Sequence, residues 1–181
     1  RLWVALTGFL AILATWYVGN RLRGPPVGLL SAAVLASAQL FAALGHFNTL
    51  DMGVAAFLSI AVFAFVLAQG DANSAKARRG WMLVAWAAAA LATLSKGLIG
   101  PALPAMALII YVLIERDRRL FARLHLLSGI SLFMVITAPW FIAVARANPE
   151  FAHFFFIHEH LERFTTRVHG RYQPMWYFVP I

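Results

Sequence analysis

Four ionisable side chains, Asp51, Lys96, His158 and Arg163, stand in local patterns that can do chemistry. Asp51 ends the run Phe47-Asn48-Thr49-Leu50-Asp51 and opens an apolar segment. A carboxylate there can cap a helix, or orient or deprotonate a substrate, or grip an amine. Lys96 stands in LSKGLIGP, between two apolar runs. Its ammonium can snorkel to a headgroup layer or, as a compact point charge beside glycine, meet a phosphate. The stretch FFFIHEHLERF supplies His158, Glu159, His160, Glu162 and Arg163. On a helix His158 and Glu162 share a face, as do Glu159 and Arg163. The pattern serves three readings: a surface salt-bridge ladder of little weight, a His ligand for a divalent ion such as zinc, or a bidentate arginine grip on phosphate. On a helix His160 lies about 160° round from His158, so one ion does not take both without a bend. His46, His125, His153 and His169 carry no local partner pattern and are assigned no role.

The elements that must position these groups are apolar. Of 181 residues 62% are hydrophobic and 12% charged, and the mean hydropathy is +0.77. Soluble domains run at about 45–50% apolar and about 25% charged, and a soluble core of this size does not absorb such an excess. The sequence therefore predicts an all-α, polytopic transmembrane bundle. About six spans are expected, at Leu2–Val18, Pro26–Leu44, Met52–Ala68, Trp81–Leu94, Leu98–Ile114 and Leu124–Val144. An open sheet cannot satisfy its backbone in lipid, and period-two alternation is absent. The fourth and fifth spans have room only for a tight hairpin turning near Ser95–Pro101, where Gly and Pro punctuate the chain. With no cysteine, disulfides and thiolate metal sites are excluded.

The net charge of +8 sits in short clusters between apolar runs. There is no basic stripe with interleaved aromatics, so nucleic acid is not an expected partner. Arg21 and Arg23, then Lys76, Arg78 and Arg79, then Arg116, Arg118, Arg119 and Arg123 occupy alternate loops. The positive-inside rule makes those loops cytoplasmic. Asp51 and Lys96 each stand one span away from a basic loop, so both fall at the opposite boundary, with the segment from about 145 to 174. Ionisable groups beside hydrocarbon usually face the protein interior or a wet cavity. In the long segment, Phe151, Phe154, Phe155 and Phe156 are expected at the lipid interface. Both chain ends read as cut, which points to a piece of a longer protein.

Taken in order, FNTLDM, LSKG, NPEFAHFFFIHEHLERF and GRYQPMWYF resemble the bacterial lipid A aminoarabinose transferase family, which is related to the protein O-mannosyltransferases. The resemblance covers essentially the whole chain, and HEHLERF and PMWYF are its most distinctive parts. It implies a membrane glycosyltransferase of the GT-C class, residues 1–181 being part of its transmembrane domain with a periplasmic loop at about 145–174. It implies transfer of 4-amino-4-deoxy-L-arabinose from undecaprenyl phosphate to a lipid A phosphate, at the periplasmic face of the bacterial inner membrane. By motif, Asp51 resembles the family's acidic residue near the catalytic cavity. Lys96 resembles the lysine of its SKG turn, His158 the histidine associated with a bound metal, and Arg163 the arginine near the donor phosphate. A further acidic residue central to the family's catalysis falls before residue 1, so the chain alone is expected to be inactive. Two other readings stand beside this one. One is a related transferase using another polyprenyl-phosphate sugar or a protein hydroxyl acceptor. The other is a transporter of anionic lipid, which calls for midplane charges and repeat symmetry that the sequence lacks.

Overall fold

The computed structural model describes residues 1–47, 49–70, 73–117, 120–151 and 153–155. Among them every regular element is a helix. The first, α1 (Leu2–Arg23), stops at Gly24, whose φ of 93° suits glycine. Pro25 then opens α2 (Pro25–Ser37), at a position where its missing N–H costs nothing. Ala38 is extended, and after it α3 (Gln39–His46) leaves α2 at 62°. Next come α4 (Asp51–Ala68) and α5 (Ala75–Lys96). The Ser74 hydroxyl caps α5 by accepting from the Ala77 N–H at 3.2 Å. Then follow α6 (Ile99–Glu115), the single turn α7 (Leu120–Arg123) and α8 (Leu126–Ala147).

Each of the six predicted spans overlaps a helix, the fifth and sixth starting at Ile99 and Leu126 rather than at Leu98 and Leu124. The second is broken at Ala38 into α2 and α3. By length and composition α1, α4 and α8 are each long and apolar enough to cross a membrane, and the bent α2–α3 pair makes a fourth if it counts as one span. At 17 residues α6 is a shorter apolar helix, and α5 spends its first turns on Lys76, Arg78 and Arg79.

The chain divides into two compact units, Arg1–Ala138 and Pro139–Ile181. In the first, small residues make up much of the buried surface, with Met52, Phe57, Leu67 and Met82 buried among them, while many large apolar side chains turn outward. Ala56, Ala61, Ala64 and Ala68 of α4 are buried, as are Ala85, Ala88 and Ala92 of α5. The only buried residue of α2 is Gly28, and that of α6 is Gly100. Leu2, Leu30, Leu113 and Leu127 instead stand well exposed. A water-soluble core is built the other way round. Where lipid is as apolar as leucine, small residues that let backbones approach give helix packing its grip. The chain is a multi-pass membrane protein.

The α5–α6 hairpin shows how LSKGLIGP works. Gly97 ends α5 with φ 83°, closed to most L side chains, and its N–H donates to Thr93 O at 2.7 Å. Three residues on, a Cβ on Gly100 would stand 2.6 Å from the Thr93 backbone nitrogen and 2.7 Å from Thr93 Oγ1. The first is backbone of α5, and the second is a buried hydroxyl already held to Ala89 O at 2.8 Å. Gly100→Val is therefore expected to destabilise the full-length protein by about 1–3 kcal/mol, the range for overpacking. Its thermal unfolding midpoint in detergent should drop by several degrees, and an unchanged midpoint would refute this packing.

The second unit holds an aromatic cluster. Phe151 and Phe155 stack at 5.4 Å between ring centres, and Phe141 meets Phe155 edge-on at 5.3 Å. Trp140 meets Phe141 at 4.9 Å and Phe151 at 5.9 Å. Phe154 is half exposed, as an interfacial ring would be, while Phe151 and Phe155 are partly buried among other rings. Because α8 continues to Ala147, the loop expected from residue 145 opens at Asn148. Phe156 lies outside the described residues.

Candidate active site

Within the first unit, α1 and α4 run parallel and α5 antiparallel to them. Trp3 lies 6.0 Å from Phe57 between ring centres, near the start of α1, while Tyr17 lies 6.0 Å from Trp81 near its other end. This sorts the charges by end. Arg21, Arg23, Lys76, Arg78 and Arg79 collect with Tyr17 and Trp81, whereas Asp51 and Lys96 fall with Trp3. Lys96 and Arg79 are 17 residues apart along α5, about 26 Å at the helical rise.

Asp51 and Lys96, predicted to share a boundary, meet there in an ion pair: Lys96 Nζ donates to Asp51 Oδ1. Asp51 is not the N-cap of α4. Leu50 holds that position without a side-chain cap, and Asp51 lies in the first turn, where the helix dipole favours a carboxylate. Lys96 is the last residue of α5, where the dipole favours a cation. Each charge is thus favoured locally before the pair forms. The side chains are 41% and 46% exposed respectively, and such a pair is worth about 0–1 kcal/mol. The pair does not hold the helices together. The packing of α4 on α5, through their alanines with Val54, Phe57 and Met82, brings the two charges together.

The arrangement has capacity to spare. An ammonium has three donors and a carboxylate about four acceptor sites, so each partner can engage a ligand while paired. Three neighbours carry no signal of their own in the sequence. Gly53 lets the helices close around the pair: a Cβ there would stand 3.2 Å from Trp3 Nε1 and 3.4 Å from Ser95 Oγ. Ser95 spends its hydroxyl on Leu91 O at 2.8 Å. Thr49 Oγ1 is buried with no hydrogen-bond partner among the described residues. Such a group costs about 1–3 kcal/mol, so Thr49 joins the site as a candidate. Its only advance signal was its place in FNTLDM.

His158 and Arg163 lie outside the described residues. Among the described residues no three His, Asp or Glu side chains gather closely enough to hold a metal ion.

A multi-pass helical membrane protein that sets an acid–base pair at the end opposite its basic loops is the class that fold and site define. The family model for dolichyl-phosphate-mannose-protein mannosyltransferases matches residues 1–142. The chain belongs to that family, and its motif resemblance to the aminoarabinose transferases is borne out. It is 32% identical over 174 residues to the undecaprenyl phosphate-alpha-4-amino-4-deoxy-L-arabinose arabinosyl transferase of Erwinia tasmaniensis, covering 94% of this chain and 31% of that protein. A counterpart from Proteus mirabilis is also 32% identical, over 178 residues, covering 97% of this chain and 31% of its own length. The crystal structure of ArnT from Cupriavidus metallidurans bound to undecaprenyl phosphate superposes with a TM-score of 0.92 at 42% identity. That match covers 99% of this chain and 33% of the other. The apo form of the same protein gives 0.88. The chain thus spans about a third of the length of the relatives it matches.

Proposed function

We propose that the protein transfers a sugar, 4-amino-4-deoxy-L-arabinose, from undecaprenyl phosphate to a phosphate of lipid A. The transfer takes place at the periplasmic face of the bacterial inner membrane. The observation that carries this reading is the Asp51–Lys96 pair, at the end away from the basic loops, in a chain 42% identical to an ArnT crystallised with undecaprenyl phosphate. In the reaction the bond from the anomeric carbon to the donor phosphate breaks, and one to the acceptor phosphate oxygen forms. Undecaprenyl phosphate leaves as an anion. Lys96 and Arg163 stabilise that charge as it develops. The acceptor is already a nucleophilic anion, so positioning matters more than a strong base. Asp51 orients the ammonium of Lys96 and binds the sugar's amine or aligns the acceptor.

The test is transfer of radiolabelled aminoarabinose to lipid A by the full-length protein in membranes. Labelled lipid A is the expected product. Label on protein instead would favour a hydroxyl acceptor, the second reading that the mannosyltransferase family match supports, and would give Asp51 the duty of a base. Absence of any transfer would overturn aminoarabinose as the sugar and turn the same assay to another polyprenyl-phosphate sugar.

A divalent metal, zinc by preference, is proposed at His158, because imidazole is a ready zinc ligand. Metal analysis of the purified full-length protein should show about one equivalent of zinc, lost in His158→Ala. An equal zinc content in the variant would remove His158 from this role.

A further inference from the structure

We propose that the basic end of the first unit carries a second phosphate site, which holds the headgroup of an anionic lipid. A cavity of about 270 Å³ opens there between the end of α4, the start of α5 and α7. Its walls are Ala68, Ala75 and Ala122, whose short side chains leave the space, and Arg78, Arg123 and His125, which fill it with donors. The half-buried Arg78 spends its Nε on Asn73 O at 3.3 Å, which fixes the side chain and leaves the rest of the guanidinium for a ligand. Among the described residues Arg78, Arg123 and His125 make no ion pair. Two guanidiniums sharing one cavity repel unless an anion stands between them, and each presents the planar fork that matches phosphate oxygens. His125 is held in place by its backbone. It sits at φ 49°, and its carbonyl accepts from Gly129 N at 2.8 Å and Ser128 Oγ at 3.2 Å.

The surroundings favour a lipid over a free phosphate. The Tyr17 and Trp81 rings and Arg21, 5.9 Å over Tyr17, mark this end as a headgroup level. Phe121 and Leu127, two residues to either side of the Arg123–His125 stretch, stand 45% and 86% exposed, where acyl chains would lie. Basic pockets between membrane helices on the positively charged side suit anionic headgroups. The site stands apart from the Asp51–Lys96 end and does not depend on what reaction occurs there.

The experiment is thermal unfolding of the full-length protein in detergent, supplemented with phosphatidylglycerol, phosphatidylcholine or inorganic phosphate. Phosphatidylglycerol should raise the midpoint by about 3 °C, as saturation of one site does in a large protein, and phosphatidylcholine should not. Arg123→Gln, an exposed position with no hydrogen bond among the described residues, should lose at least half of that rise, while Lys96→Gln keeps it. On the unaltered protein, 1 M salt, which shortens the screening length to about 3 Å, should abolish the rise. Equal effects of the two lipids, a full rise in Arg123→Gln or a salt-insensitive rise would overturn the proposal. A rise with inorganic phosphate matching that with lipid would overturn the lipid as occupant.

Discussion

Asp51→Asn in the full-length protein should lower sugar transfer by about 100-fold or more, within the range that one positioned acid–base group supplies, while leaving expression and unfolding midpoint nearly unchanged. The two halves of this expectation rest on different observations. The small effect on stability follows from exposure. Both members of the pair are more than 40% accessible, so losing the interaction costs about 0–1 kcal/mol. The large effect on activity follows from placement, since asparagine keeps the shape of the side chain and removes the charge that orients Lys96. A charge swap separates a structural pair from a working one. Asp51→Lys with Lys96→Asp re-forms an ion pair but reverses both helix-dipole contacts and puts the cation where the carboxylate belongs. Activity should stay lost in the swapped protein. Recovery of activity on swapping, or retention of more than half of it in Asp51→Asn, would reduce the pair to a surface contact.

How far the site was legible in the sequence depends on which interactions set each feature. The common depth of Asp51 and Lys96 was readable because one span of helix is a fixed length and the basic loops mark its ends. That the two side chains touch was not readable, since it depends on which helices are neighbours. The α4–α5 contact joins alanines of both helices with Val54, Phe57 and Met82, and an alanine run such as that of α5 carries no strong face signal. The break at Ala38 was hidden for a related reason. No proline or glycine falls between Gly28 and Gly45, so the apolar run of α2 and α3 reads as continuous. The glycines of LSKGLIGP announced a turn. Only the structure divides their labour, Gly97 for its positive φ and Gly100 for close approach to Thr93.

The distribution of charge also weighs between reaction and transport. A transporter of anionic lipid places ionisable groups near the membrane midplane, often on broken helices. Here the aliphatic hydroxyls of α1, Thr7 and Thr15, are each turned back on their own helix at Trp3 O and Ala11 O, and Tyr17 stands at the basic end. The middle of α4 and that of α5 hold no ionisable residue. Among the described residues the one bent helix pair, broken at Ala38, has no charged residue beside the break. A fold that keeps its charges at two opposite ends suits chemistry at one membrane boundary better than passage between them.

Arg163→Ala in the full-length protein should lower the turnover number by about 100-fold or more, the usual loss when one donor to a developing oxyanion is removed. The cause is leaving-group charge. In the proposed reaction undecaprenyl phosphate gains negative charge as the sugar departs, and Lys96, already facing Asp51, has part of its field cancelled by its partner. A second cation is required to match the full developing charge, and a guanidinium meets a phosphate through two parallel hydrogen bonds. Arg163→Lys should recover only part of the activity, because it restores the charge without the fork. Steady-state kinetics with varied donor decide what the arginine does. A fall in kcat with KM little changed places the contact in the transition state, whereas a raised KM with unchanged kcat makes it a binding contact alone. Undiminished kcat/KM in Arg163→Ala would take the donor phosphate away from this residue and leave Lys96 as its only named cation.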